Sequence, residues 1–139
     1  MRRPGIEKLS GKTALVTGST DGVGRLVARK LGQAGARVLV HGRDAERGAR
    51  VVADIDASGG AADFIAADLS ALAEVHRLAD AAQVDRLDIL INNAGIGTAG
   101  PRQTSAEGFE LRFAVNYLAG FLLTLLLCRL SGTARQRGS

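Results

Sequence analysis

Hydrophobic positions along this chain follow two alternating rhythms: short continuous apolar runs, and longer stretches where apolar residues return every third or fourth position. These are the periods of buried strands and amphipathic helices. Thr13-Ala14-Leu15-Val16 marks a first strand over 12–17. A helix over about 22–34 follows, with Val23, Leu26, Val27, Leu31 and Ala34 on one face and Gly35 placed as its left-handed terminator. Residues 37–41 predict a second, buried strand. Asp44 is placed to cap a helix running to Ala57 and stopping at Ser58-Gly59-Gly60. Gly48 inside that helix costs about 1 kcal/mol relative to alanine. Residues 62–67 predict a third strand, and Ser70 a cap for a helix with Leu72, Val75, Ala79 and Ala82 on one side. Residues 87–91 predict the fourth strand.

That strand runs into Asn92-Asn93-Ala94-Gly95 and a loop to Gln103. Thr104-Ser105-Ala106-Glu107 has capping-box spacing and predicts a long helix to about residue 130. From Phe113 onward this helix is apolar all round, so it should be buried on most sides. Its run over 114–128 is about 15 residues, interrupted by Asn116 and short of the ~20 that span a bilayer, so a buried helix is expected and no membrane. Residues 131–139 show no periodicity and read as a loose tail. Strand–helix alternation predicts an α/β fold: a Rossmann-like doubly wound parallel sheet with right-handed crossovers, ending after about four strands and the long helix. The domain is 11–130, between tails at 1–10 and 131–139.

Composition changes this picture little. With 139 residues, 46% hydrophobic, one domain can bury a core. The net charge of +4 comes from the ends: Arg2, Arg3, Lys8, Arg129, Arg135 and Arg137 against Glu7 leave 11–128 at −1. A nucleic-acid binder carries its basic face on the folded part and uses aromatic stacking. One Tyr and four Phe offer little of that, so no nucleic acid is expected. Cys128 is the only cysteine; it excludes an internal disulfide and reads as a small buried hydrophobe. The amino terminus has no apolar region after its charges, and a cytoplasmic protein is expected. His41 and His76 read as surface residues, and no cluster suggests a metal.

Ligands of such sheets bind beyond the carboxyl ends of the strands. Four turns fall there. In Thr17-Gly18-Ser19-Thr20-Asp21-Gly22-Val23-Gly24 the glycines let a pyrophosphate approach backbone N–H groups. The helix start adds unpaired donors and roughly half a positive charge. Where the second strand ends, Gly42 leaves room and Arg43 can grip a 2′-phosphate, which favours NADP(H) over NAD(H). Asp21 would oppose that phosphate, and Arg43 can also be an ordinary solvated arginine. Asp68 can accept a hydrogen bond from an adenine amino group beside Leu69, or cap the next helix. Asn92 and Asn93 can tie strand ends together, while Ala94 and Gly95 admit a ribose or nicotinamide.

The turn 17–24, spaced Thr-Gly-x-x-x-Gly-x-Gly, with Asp68-Leu69, 92–95 and Ala114-Val115-Asn116, resembles the short-chain dehydrogenase/reductase family in order and approximate spacing over about 11–130. The resemblance implies hydride transfer between NAD(P) and an alcohol or carbonyl carbon. It implies a dinucleotide-binding set of Gly18, Ser19, Thr20, Asp21, Gly22, Val23, Gly24, Arg43, Asp68, Leu69, Asn92, Ala94 and Gly95. It also makes Asn116 the family's catalytic asparagine, which helps hold a proton-relay water; hydrogen bonding within a buried helix is the alternative. The family's serine and Tyr-x-x-x-Lys are not in these residues. Tyr117 is the only tyrosine, Phe121 stands four residues on, and Lys8, Lys12 and Lys30 all precede the second strand. A tyrosine delivers a proton to a nascent alkoxide poorly without a lysine cation beside it. The expectation is therefore a cofactor-binding chain inactive alone. Alternatives are a non-catalytic nucleotide-binding or degenerate fragment, and an interaction module using 114–128. The resemblance also implies subunit packing through a helix in this region, hence self-association through 104–130. The outer edge of the fourth strand is expected to be bare, which invites aggregation or pairing with another chain, and the composition change at 131 resembles what a frameshift or early stop leaves.

Overall fold

The computed structural model describes residues 9–82, 86–97 and 100–137; most of the expected tail at 1–10 lies outside them. Strands β1 (Thr13–Val16), β2 (Arg37–Gly42), β3 (Ala61–Ala66) and β4 (Ile89–Ile91) form one parallel sheet in the order β3-β2-β1-β4. The crossovers are α1 (Gly22–Gln33), α2 (Ala45–Ala57) and α3 (Leu72–Ala81). Neighbouring positions on a strand point to opposite faces. Val16, Val38 and Val40 accordingly pack with Ala28, Val51 and Ile55 on one side. Leu15 and Leu39 pack with Val75, Leu78, Leu123 and Leu127 on the other. Burial on both faces is why these strands read as unbroken apolar runs.

Several expectations about helices are corrected. Helix α1 lays Gly24, Ala28 and Gly32 against the sheet, while Val23 and Leu26 of the expected face are exposed. A stripe of small residues lets the helix approach closely. Gly48 is required rather than merely tolerated: a Cβ there would strike the Phe64 ring, so its absence lets α2 sit on β3. Ser70 does not cap α3. The N-cap is Ala71, and a Glu107 carboxylate oxygen accepts the Leu72 N–H instead.

Residues 104–107 do not open the long helix. Thr104 pairs antiparallel with Glu110, the Ser105 hydroxyl accepts the Phe109 N–H, and Gly108 at φ +90° reverses the chain. A left-handed residue cannot continue an α-helix, and the Glu107 that would complete the capping box is engaged on α3. Helix begins only at Leu111, where the Glu110 side chain accepts the Phe113 N–H. One α turn, α4 (Leu111–Phe113), widens to a π segment (Ala114–Leu118) and resumes as α5 (Ala119–Arg137). The helix therefore passes the expected end at 130 and takes in most of the expected tail. Ala134, Arg135 and Gln136 are strong helix formers, and a single Gly132 weakens the ladder without breaking it.

Burial of this helix is one-sided. Ala114, Ala119, Leu123 and Leu127 are inside, whereas Phe113, Tyr117, Phe121 and Leu125, spaced by four, are exposed. The Phe113 and Tyr117 rings stack at 5.5 Å. Cys128 is exposed as well, not a core residue. Counted from Leu111, the run to Cys128 has the length and mean hydropathy (1.8) of a membrane-crossing helix, by length and composition alone, with 22% of it buried.

Candidate functional site

All four carboxyl-end turns open into one cleft of about 1050 Å³. The turn after β1 contributes Gly18 and residues 20–23, that after β2 His41 to Asp44 with Arg47, that after β3 residues 67–70, and that after β4 residues 93–96. Gln103, Thr104, Leu111 and Val115 form the remaining wall.

The glycine-rich turn is laced from both sides. Towards β4, the Thr17 hydroxyl accepts the N–H groups of Asn93 and Ala94, each at 3.0 Å. The Asn93 amide donates to the carbonyls of Thr17 and Gly18 (3.3 and 3.0 Å). Towards β2, the Gly18 N–H donates to Nδ1 of His41 at 3.0 Å. The Ser19 N–H donates to the His41 carbonyl, and the His41 N–H to the Ser19 hydroxyl. Gly24 must be glycine, because a Cβ would collide with the Gly18 carbonyl oxygen and the Asn93 amide. The first turn of α1 thus rests directly on the turn that precedes it.

Charge is unevenly distributed around the cleft. Asp21 occupies the N-cap of α1 but makes no side-chain capping bond. The first N–H groups of the helix have no intrahelical partners and receive no bond from the Asp21 side chain. Arg47 reaches Asp21 at 3.6 Å and Asp44 at 3.9 Å. Arg43 forms no ion pair among the described residues. The Ser70 N–H at 3.0 Å holds the Asp68 carboxyl below its usual range, and the Arg43 charge lowers it further.

Most residues expected at the site line it: Gly18, Thr20, Asp21, Gly22, Val23, Arg43, Asp68, Leu69, Ala94 and Gly95. Four do not. Ser19 is fully buried, donating to the Val16 carbonyl, and Gly24 lies buried beneath the turn. Asn92 points to the opposite face of the strand and donates to the Thr124 hydroxyl on α5 at 3.0 Å. Asn116, carried by the π segment, uses its amide on the backbone of Ile96, accepting its N–H at 2.7 Å and donating to its carbonyl at 3.0 Å. It anchors the loop after β4 rather than facing the cleft.

His41 was misread, Arg47 was missed, and of the two expected amide ties only that of Asn93 forms. His41 is buried, 3% exposed, against the expectation of a surface histidine; His76 is exposed as expected. Its place in an apolar run of a sheet covered on both faces was the available signal. Arg47 lies in the first turn of α2, behind the Asp44 cap, and its place just past the end of the second strand was the available signal. Asn93, not Asn92, is the amide that ties the strand ends together.

An uncapped helix start, a turn that admits no Cβ where it meets the helix, and an arginine beside the second strand suit a dinucleotide. The short chain dehydrogenase family model matches residues 12–139. The polyprenol dehydrogenase of Mus musculus is 43% identical over 145 residues, covering 99% of this chain and 43% of that protein. A metagenomic short-chain oxidoreductase solved in complex with NADP is 40% identical with a TM-score of 0.78, over 87% of this chain and 57% of that one. The RhlG–NADP complex of Pseudomonas aeruginosa is 38% identical with a TM-score of 0.75, over 91% of this chain and 50% of that one. The chain thus spans under half of the curated relative and about half of the solved chains.

Proposed function

The chain belongs to the short-chain dehydrogenase family, and on that premise we propose that its cleft binds NADP(H) in preference to NAD(H), as the cofactor part of an oxidoreductase acting between alcohols and carbonyls. The observation that carries this reading is the convergence of four turns on one cleft whose helix start is left uncapped. When bound, the nicotinamide would supply or accept a hydride. The first N–H groups of α1 would hold the pyrophosphate, and Arg43, with Arg47 in the first turn of α2, the 2′-phosphate. Asp68 would accept from the adenine amino group. Ala94 and Gly95 leave space towards the nicotinamide, and Leu111 and Val115 exclude water from that side. The NADP named with the two solved relatives supports the same preference.

Proton delivery is not part of what these 139 residues do. Tyr117 is 63% exposed, stacked on Phe113 and absent from the cleft lining. The chain binds cofactor without turning substrate over. Calorimetric titration with NADPH and NADH checks the preference: NADPH binds more tightly, and Arg43→Ala removes about tenfold of its affinity while leaving NADH nearly unchanged. Equal affinity for both nucleotides removes the role of Arg43. Turnover of an aldehyde and ketone panel above background refutes inactivity.

A second reading rests on the exposed stripe Phe113, Tyr117, Phe121 and Leu125 and on the outer edge of β4, unpaired among the described residues. An apolar helix face beside an open strand edge favours self-association. A chain that sediments as a monomer at high concentration refutes it. Neither nucleic acid nor membrane enters the proposal.

A further inference from the structure

We propose that His41 is a positioning residue for the phosphate cradle: its neutral imidazole clips the glycine-rich turn to the end of β3, and dinucleotide binding weakens when the ring takes up a proton. The inference rests on the cofactor reading above and adds to it a pH-dependent control of the same site. The two ring partners are both backbone groups. The Gly18 N–H can only donate, so Nδ1 at 3.0 Å must be unprotonated. The Ala67 carbonyl can only accept, so Nε2 at 2.9 Å must carry the hydrogen. Geometry alone therefore selects the neutral Nε2-protonated tautomer.

The backbone of His41 reinforces the clip. Its N–H donates to the Ser19 hydroxyl at 3.0 Å and its carbonyl accepts the Ser19 N–H at 2.8 Å. One residue thus joins the turn after β1 to the turn after β3. A protonated ring presents a donor on each nitrogen, and Nδ1–H then faces the Gly18 N–H, donor against donor. Gly18 cannot move alone, since its carbonyl oxygen lies against Gly24. Displacing it disturbs the first turn of α1, where the phosphate donors are.

Charged groups around the ring are otherwise occupied. From the turn after β1 comes Asp21, paired with Arg47 of α2; Asp44 caps α2, and Asp68, after β3, accepts from Ser70 under the influence of Arg43. The wall residues Gln103, Thr104, Leu111 and Val115 are uncharged. No charged side chain hydrogen-bonds the ring among the described residues. Burial pushes its pKa below 6.5, opposed in part by the Ala67 carbonyl. A depressed histidine leaves its interactions intact above the unfolded value and loses them as pH falls from there through the folded value.

The test is calorimetric binding of NAD⁺, which has no titrating 2′-phosphate, to the full chain and to His41→Asn and His41→Phe. An asparagine oxygen stands where Nδ1 stands and cannot titrate; phenylalanine keeps the ring and offers no acceptor. As the pH falls from about 7.5 through the folded value of the ring, the native chain loses up to about tenfold in affinity, the worth of one buried hydrogen bond. His41→Asn binds like the native chain at the higher pH and stays flat, and His41→Phe binds weakly at both. In the ligand-free chain the Gly18 amide resonance titrates with the ring, and in His41→Asn it does not. Native binding that does not weaken with acid, or weakens equally in His41→Asn, overturns the role of His41 and leaves the cofactor reading standing. No binding of either NAD⁺ or NADPH at the higher pH by the native chain overturns the cofactor reading, and the proposal with it.

Discussion

Helices α1 and α2 start from the same edge of the sheet, one strand apart, and each has an aspartate at its N-cap. Their starts are finished differently. Asp44 accepts the N–H groups of Glu46 and Arg47 at 2.9 and 3.2 Å, closing α2 on itself. Asp21 is extended, makes no capping bond, and reaches across to Arg47. The helix sealed by its own side chain supplies a cation to the cleft, and the open one supplies donors. A helix that satisfies its own first turn has little left for an anion, and this is why the proposed reading gives the phosphate to the open end.

The largest test of that contrast removes the space beneath the open helix. Gly24→Ala drives a methyl into the Gly18 carbonyl oxygen and the Asn93 amide, both held by other bonds. Overpacking of this kind costs about 2–3 kcal/mol, and it displaces the cradle, so NADPH binding falls by about a hundredfold or more. Gly48→Ala in α2 meets the Phe64 ring instead and lowers stability by a similar amount, about 1–3 kcal/mol. Its effect on NADPH affinity is less than about threefold. Denaturant melts and calorimetry on the two variants separate the outcomes; equal losses of binding would erase the contrast.

How far these features could be read in advance depends on whether their causes are local. The four converging turns were legible, because a parallel sheet puts every strand end on one rim once the strands are identified. The Asp44 cap and the Gly35 terminator were legible for the same reason, each acting within its own turn. Ser70 failed as a cap because Glu107, far along the chain, takes its place. The same carboxylate was needed for the capping box at 104, so one non-local bond overturned two expectations. Asn92 and Asn93 are neighbours of identical type, and only the alternation of the strand decides that one faces α5 and the other the glycine turn. The face of α1 was misplaced because glycine and alanine carry little hydrophobic signal, yet close approach to the sheet selects them.

Sealing can be undone at α2. Asp44→Ala removes both capping bonds and lowers stability by about 1 kcal/mol, read as a shift of the urea midpoint with an unchanged slope. Asp21→Ala, at the corresponding position of α1, has no capping bond to lose and changes stability by less than about 0.5 kcal/mol. A cap-sized loss at Asp21 would mean that the two starts are alike after all.

The smallest expected effect concerns charge alone. Asp21 sets a negative charge at the mouth of the donor end and holds Arg47 at 3.6 Å, both unfavourable to an incoming phosphate. Asp21→Asn keeps the shape, removes the charge and frees Arg47. The pair is exposed, so its release is worth no more than about 0.5 kcal/mol, a two- to threefold gain in NADPH affinity at low salt. Because the contribution is Coulombic and faces water, it shrinks once the Debye length falls to about 3 Å near 1 M salt. NADH lacks the 2′-phosphate and gains less. A gain that persists in high salt would point to a change of shape, and a weaker NADPH complex would mean that Asp21 helps hold the ligand instead of guarding the open helix start against it.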